Sequence, residues 1–332
     1  MCDRWMWVND DKDATGNLST QKLCDLFQEF AEMGVRKIVM SGGEPLMRDD
    51  FQSLVRYLSN KDFEGGIFTN GTLMDNDNAK VLAGADFRVI FSIDGGSAHT
   101  HDRIRGVEGV FDKAVQGVRN MVKAKMNHAS KSETRINFTV QKENLHEMIG
   151  LFKLAEKLGA DAVDYDIVDG KPKCSPDKDS VQIVRSNVHA IRMLAASSKT
   201  NVSFGEILRG LIDGMIDPTD VEKGYPAIGL FRKKTVQCLS AYRSAMVDSF
   251  GNVYPCCYPA PTTDKQRRHF ILGSIHDTSF EEIWYGESYD RFRDLTDPVD
   301  IEQLGFVCGQ CARYFTFRKY EKLFNILNKI MP

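Results

Sequence analysis

The sequence lacks several features that would assign a chain to a class at once. No apolar run approaches the roughly 20 residues that a membrane-crossing helix needs, and no basic-then-apolar leader precedes the chain's first elements, so nothing in it points to secretion. Low-complexity segments are absent from the region beyond about residue 236. Net charge is small: −3 at neutral pH, which gives no electrostatic case for nucleic acid or an anionic membrane as partner. The basic cluster Lys265-Gln266-Arg267-Arg268-His269 reads as a solvated loop rather than a phosphate site. With secretion unsupported, the 8 cysteines are placed in a reducing cytoplasm, where metal ligation outranks disulfide formation. What is present is ordinary for a soluble globular protein: 42% hydrophobic and 27% charged residues. At 332 residues the chain can bury one large α/β core and a smaller one.

An alternation of helix and strand fills the first half. Residues 19–34 read as an amphipathic helix capped by Ser19 or Thr20 and ended by Gly34, with Leu23, Leu26, Phe27, Phe30 and Ala31 on one stripe. The short β-like run Lys37-Ile38-Val39-Met40 follows and stops at Ser41-Gly42-Gly43-Glu44-Pro45. The unit then recurs. Helices are expected around 49–60, 76–84, 111–127 and 144–158, and strands at 66–69, 87–93, 135–140 and 162–168. Such alternation implies a parallel sheet with right-handed crossovers. Nearly every strand ends in Gly, Ser, Asn or Asp, and the carboxyl edge of a parallel sheet is where loops and helix N-termini converge on a ligand. Beyond Gly170 the period breaks. Residues 179–197 and 204–216 look helical, Pro218, Gly224 and Pro226 mark a looser connection, and a cysteine-bearing region begins near 236. From Arg313 to Ile330 the pattern is that of a helix docked on the body. The expected division is therefore 1–170, 171–235, 236–312 and 313–332.

The C-terminal cysteines carry a spacing: Cys238, twelve residues to Gly251, four to Cys256, and later Cys308-Gly309-Gln310-Cys311. Cys-x-x-Cys sets two thiolates on one turn, and a hairpin at Gly251-Asn252 with Val253-Tyr254 returning could bring the other pair. Four thiolates fit a structural zinc or an iron–sulfur cluster, and spacing alone does not decide between them. Cys257 is a spare on the opposite face of its strand; Cys24 and Cys174 read as structural. At the strand ends, Gly42 and Gly43 let backbone approach a ligand, and the Glu44 carboxylate beside them could accept from an ammonium group.

The succession Gly-Gly-Glu-Pro at 42–45, Thr69-Asn70-Gly71-Thr72, Ser92-Ile93-Asp94-Gly95 with His101-Asp102-Arg103-Ile104-Arg105-Gly106, and Asn137 on a strand resembles the radical S-adenosylmethionine (SAM) enzymes over roughly residues 1–170. The C-terminal cysteine spacing resembles the SPASM/twitch extension found on one branch of them, over 236–312. The resemblance implies an α/β fold, a partial (β/α)6 TIM-like barrel lacking its first strand, plus a small cysteine-bearing extension. It also bears on the opening Met1-Cys2-Asp3-Arg4-Trp5-Met6-Trp7-Val8, which is aromatic where a start is usually polar. The family's signature is CxxxCxΦC, and Met1-Cys2 has the look of its last two positions. The first strand and two cysteines would then lie upstream, and the chain as written would be inactive.

By the same resemblance, cysteine thiolates including Cys2 would hold a 4Fe–4S cluster that binds SAM. Gly42, Gly43 and Glu44 would take the methionine amine, Ser92 and Asp94 the ribose or carboxylate, with Asn70 and Asn137 completing the wall. Arg103 or Arg105 could fork onto the carboxylate. The implied reaction is reductive cleavage of SAM to a 5′-deoxyadenosyl radical that abstracts hydrogen from a peptide or small-molecule substrate. One auxiliary 4Fe–4S cluster on Cys238, Cys256, Cys308 and Cys311 would pass electrons, and flavodoxin or ferredoxin would donate them. Two other readings stay open: a non-catalytic iron–sulfur or electron-transfer protein on the same scaffold, and a zinc-stabilised α/β binding module.

Overall fold

A computed structural model describes residues 17–168, 174–214, 238, 240–257 and 270–297. They fall into two compact units, one formed by Ser19–Val168 with Cys174–Gly205, the other containing Leu18 and the described residues from Glu206 onward. Among the described residues no helix is long and apolar enough to cross a membrane.

The first unit is a six-stranded parallel sheet in the order β1-β2-β3-β4-β5-β6: Lys37–Met40, Glu64–Thr69, Arg88–Ser92, Thr134–Val140, Ala162–Ile167 and Asn201–Phe204. Helix α1 (Thr20–Glu32) leads into β1, and α2 (Phe51–Ser59), α3 (Asn76–Gly84), α4 (Ala98–Arg105), α5 (Val110–His128), α6 (Met148–Leu158) and α7 (Ser180–Ala195) form the crossovers. Local chemistry sets their ends: Ser19, Asp75 and Ser97 accept hydrogen bonds from the first-turn amides of α1, α3 and α4, while Gly106 closes α4 in the left-handed conformation.

Burial along the sheet has period two. In β4, Ile136, Phe138 and Val140 are fully buried, whereas Arg135, Asn137 and Thr139 point to the other face and are half-buried. The register carries this alternation across the sheet, because Ser92 pairs Asn137, Asn137 pairs Asp164 and Asp164 pairs Ser203. One face thus joins Val89, Phe91, Phe138, Tyr165, Leu82, Val118 and Phe152 in an apolar core, each such side chain contributing roughly 1.5–3 kcal/mol on burial. Tyr165 stacks on Phe204 at 5.6 Å, lies 5.5 Å from Phe138, and donates its buried hydroxyl to the Met148 carbonyl at 2.8 Å. The second face is polar: Arg135 forms a double ion pair with Asp164 and a further one with Glu133, and Ser203 donates to Asp164.

Among the described residues the helices and strands expected from periodicity are found, with two differences. Asn201–Phe204 is a sixth parallel strand inside the segment read as a helical connection, and Cys174–Gly205 belongs to the same compact unit as Ser19–Val168. Four residues with burial on one side only leave too short a pattern to declare a strand. The other difference is α4, which the sequence reading treated only as a motif.

The second unit contains α8 (Glu206–Ile212), α9 (Ser240–Arg243), an antiparallel sheet of β7 (Met246–Val247), β8 (Asn252–Tyr254) and β9 (Gly273–Ser274), and helices α10 (Phe280–Trp284) and α11 (Glu287–Leu295). Gly251, at φ +83°, makes the expected hairpin turn, and Asp248 fastens it by accepting from the Phe250 and Asn252 amides at 3.0 and 2.9 Å. A capping box of Ser279 and Glu282 starts α10.

Candidate functional site

The polar groups of the first unit gather at the carboxyl ends of β1 to β4. After β1, Glu44 points back across the sheet. Its Oε1 accepts from the Thr69 hydroxyl at 2.7 Å and the Leu46 amide at 3.3 Å, and its Oε2 accepts from the Asn70 amide at 2.7 Å. The carboxylate therefore ties the end of β1 to the end of β2. Gly42 lies at φ +151°, and a Cβ built on Gly43 would touch no described residue within 4 Å. Asn70 folds into its own turn, its Oδ1 accepting from the Thr72 amide and hydroxyl at 2.8 and 2.6 Å.

After β3 the chain turns sharply through Asp94-Gly95-Gly96. A Cβ on Gly95 would stand 2.6 Å from the His101 nitrogen, which only glycine allows. Asp94 is 6% exposed. Its Oδ1 accepts from the Thr139 amide at 3.0 Å and its Oδ2 pairs with Arg105 at 2.8 Å. Arg105 also donates to the Ser92 carbonyl at 3.1 Å, yet its Nε is buried with no partner among the described residues. A buried guanidinium nitrogen without an acceptor costs free energy unless an anionic or carbonyl oxygen arrives.

Two side chains support this turn: His101, which the sequence reading quoted in the motif without giving it a role, and Glu147, which it did not single out. His101 is buried in α4 and accepts the Asp94 amide proton at Nδ1, 3.0 Å away; burial, with the Arg105 cation adding, pushes its pKa down to about 4. Glu147 accepts from the Gly96 amide, the Ser97 amide and hydroxyl, and the Thr100 hydroxyl. Burial pushes the Glu147 carboxyl up, but these hydrogen bonds together outweigh it and hold the pKa below the usual range. The helix start Ser97 and stop Gly106 were the available sequence signals for α4; nothing local announces Glu147.

Ser92 and Asn137, adjacent in register on the polar face, are half-buried, and no described residue hydrogen-bonds the Ser92 hydroxyl or the Asn137 amide. Arg103 is placed elsewhere, in an exposed pair with Glu143 at 3.6 Å. Of the two candidate arginines, only Arg105 reaches the strand ends. One rung beyond Asn137, Asp166 lies beside Thr139 in register; the surrounding protein and then Asp164 raise its pKa.

In the second unit Cys238 is buried and donates its amide to the Thr296 carbonyl at 2.9 Å, Cys256 is half-buried at the end of the hairpin, and Cys257 is exposed. Cys256 and Cys257 follow the strand Asn252–Tyr254 and do not lie in it, so the expected opposite strand face for Cys257 is not found. Cys24 and Cys174 are half-buried in the first unit. Cys2, Cys308 and Cys311, and the helix expected over 313–330, lie outside the described residues.

A helix-backed parallel sheet with a glycine-rich first edge and polar residues at neighbouring strand ends defines an α/β protein. Comparison with known proteins gives that class a family. The model of the Radical SAM superfamily matches residues 2–155, and that of an iron–sulfur cluster-binding domain, SPASM, matches 238–312. An AdoMet-dependent heme synthase of Methanosarcina barkeri is 31% identical over 89% of this chain and 80% of its own length. The mycofactocin maturase MftC of Mycobacterium tuberculosis H37Rv is 28% identical over 91% of this chain and 70% of its own. The chain belongs to the radical SAM superfamily and carries a SPASM domain. Among solved structures, Streptococcus suis SuiB bound to S-adenosylmethionine superposes with a TM-score of 0.63 at 15% identity, covering 83% of this chain and 60% of SuiB, so the chain spans less than two thirds of that neighbour. AnSMEcpe with bound AdoMet and the Cp18Cys peptide gives 0.58 at 18% identity, over 94% and 92% of the two chains. At these identities the structural likeness speaks for the fold.

Proposed function

We propose that the carboxyl edge of β1 to β4 is a SAM site and that the protein is a radical SAM enzyme acting on a peptide or a small molecule. The observation that carries this reading is Arg105, held by Asp94 at 2.8 Å yet 29% exposed, at the end of β3 beside Ser92 and Asn137, whose side chains hydrogen-bond no described residue. The methionine carboxylate is an anion that the exposed part of this guanidinium can bind, and the main chain of 42–44 would take the ammonium end. Asp94 holds Arg105 in place instead of contacting the ligand itself, and Ser92 and Asn137 face the ribose. The groups bound at Cys2 and its partner cysteines would supply reductive cleavage of SAM, yielding a 5′-deoxyadenosyl radical that takes a hydrogen atom from the substrate. The auxiliary cluster would sit on Cys238, Cys256, Cys308 and Cys311, with flavodoxin or ferredoxin as the electron source.

Support for the two substrate classes comes from different relatives. The heme synthase speaks for a small molecule; the mycofactocin maturase, and SuiB solved with precursor peptide SuiA, speak for a peptide.

The test is SAM affinity, measured by calorimetry on protein reconstituted with iron and sulfide. Arg105→Gln should weaken binding about tenfold or more, the loss expected when a charge-assisted hydrogen bond of ~1.5–3 kcal/mol disappears. Arg103→Gln should leave it unchanged. Equal affinities in the two variants would overturn the assignment.

A further inference from the structure

We propose that Asp166, on the strand next to the residues assigned to SAM, receives a cationic group of the substrate, a primary ammonium or a guanidinium. The proposal deepens the reading above and rests on it, because it places the substrate beside bound SAM.

Two carboxylates share the polar face of β5 and differ in what they meet. Asp164 accepts the Arg135 Nε proton at 2.7 Å, and the Ser203 hydroxyl donates to it from β6. Asp166 is the next residue on that face, two positions nearer the carboxyl edge. It is exposed, and no described residue hydrogen-bonds or ion-pairs it. Its place on the sheet is nevertheless fixed. It pairs Thr139 in register, and a Cβ on Gly205, the residue after β6, would collide with its Oδ1. The carboxylate thus lies over Gly205, in space that a side chain there would fill.

The charges around it are answered by one another. Arg88 pairs Glu133 at 2.6 Å, Arg135 pairs Glu133 and Asp164, and Arg105 pairs Asp94 at 2.8 Å. Among these groups Asp166 is the carboxylate left over. Packing does not explain it, since aspartate is depleted in strands, where β-branched residues fit better. Solvent reaches the side chain, yet the surrounding protein and then Asp164 push its pKa up, and a cation beside it would relieve both effects. Thr139 connects it to the ligand edge, because the Thr139 amide donates to Asp94, which holds Arg105. An ionised carboxylate only accepts hydrogen bonds. An ammonium or guanidinium supplies the donors and the missing charge together, whereas an anionic group would be repelled. A lysine or arginine side chain of a peptide and a free amine share that chemistry.

The experiment is calorimetry on the full chain reconstituted with iron and sulfide and supplied with SAM. The probes are n-butylammonium, butyrate, and the tripeptides acetyl-Gly-Lys-Gly-amide and acetyl-Gly-Glu-Gly-amide. The two cations should bind and the two anions should not. Asp166→Asn, close in shape at a position with no partner to lose, should weaken cation binding about tenfold or more and leave SAM affinity unchanged. Tighter binding of the lysine peptide than of butylammonium supports the proposal with a peptide as the source, and the reverse supports it with a small amine. Failure of both cations to bind, butyrate binding as well as butylammonium, or cation binding unchanged in Asp166→Asn overturns it. So does a loss of SAM affinity in Asp166→Asn, which would make the carboxylate part of the SAM site. A wild-type chain that binds butylammonium but not SAM keeps the cation site and overturns the SAM reading instead.

Discussion

His101 is where one residue can be made to report on the whole ligand edge. Its ring is 2% exposed, tilts against Phe111 with centroids 5.8 Å apart, and uses Nδ1 to receive the Asp94 amide. With the pKa near 4 in the folded protein and about 6.5 in the unfolded chain, only the unfolded chain takes up the proton between those values. Stability from this group is complete above about pH 6.5 and is lost as pH falls toward 4, by on the order of 3 kcal/mol in full. Thermal melts at pH 7.5 and 5 should therefore show a large acid loss in the wild type. In His101→Asn, whose side-chain oxygen can accept the Asp94 amide proton, that loss should shrink; the same acid loss in both proteins would refute the argument. Carboxylates show how far residue identity alone reaches. The sequence correctly singled out Glu44 and Asp94 as groups at the strand ends, but a sequence does not reveal which donors a carboxylate already has. Thr69, Leu46 and the Asn70 amide hold the first, and Arg105 and the Thr139 amide the second. Ser92 and Asn137 were legible because short polar residues ending successive strands have few partners along their own strands.

Between elements, the close contacts are what sequence periodicity leaves out. Helix α5 was readable from its apolar stripe, yet Gly117 within it is explained only by the loop it meets: a Cβ there would stand 2.5 Å from the Gly71 carbonyl oxygen and 3.0 Å from Met74. Alanine is favoured over glycine in a helix by about 1 kcal/mol, so propensity alone says that Gly117→Ala stabilises. Overpacking against main chain reverses the sign, at roughly 1–3 kcal/mol, and differential scanning calorimetry should show a lower Tm. Glu147 gives the matching prediction for the turn after β3. It stands just before α6 and fastens residues 96–100 across some 50 positions of sequence, a span no local pattern can announce. Glu147→Ala should cost about 1–3 kcal/mol and speed amide exchange at Gly96 and Ser97 while exchange in β4 stays slow; uniform acceleration would mean global loss of structure, not release of one turn. Because the Glu147 pKa is depressed, the wild-type contribution is present above the usual carboxylate range and fades as acid protonates it. The strand β6 escaped notice for the opposite reason: its role is set by pairing with Ala162–Tyr165, not by its own four residues.

At the scale of the whole chain, the two units read differently from sequence. The first announced itself by repetition, helix after strand, and five of its six strands followed. The second has short elements whose placement rests on a turn at Gly251, the Asp248 clasp and aromatic packing among Tyr254, Phe270 and Phe292, and in it the cysteine spacing was more informative than any periodicity. That spacing makes a prediction about composition which the fold alone does not. If Cys238 and Cys256 serve one centre with Cys308 and Cys311, the reconstituted chain should bind about four iron atoms and as many sulfides there, and Cys238→Ser or Cys256→Ser should abolish that share. Cys257→Ser, Cys24→Ser and Cys174→Ser should not, since Cys257 is exposed beside the hairpin and the other two belong to the first unit. Zinc would give a metal signal without acid-labile sulfide, and iron retained by Cys238→Ser would separate that thiol from the centre. A serine at 238 keeps the amide that binds the Thr296 carbonyl, so the helix-to-ligand link survives and lost iron can be ascribed to the missing sulfur.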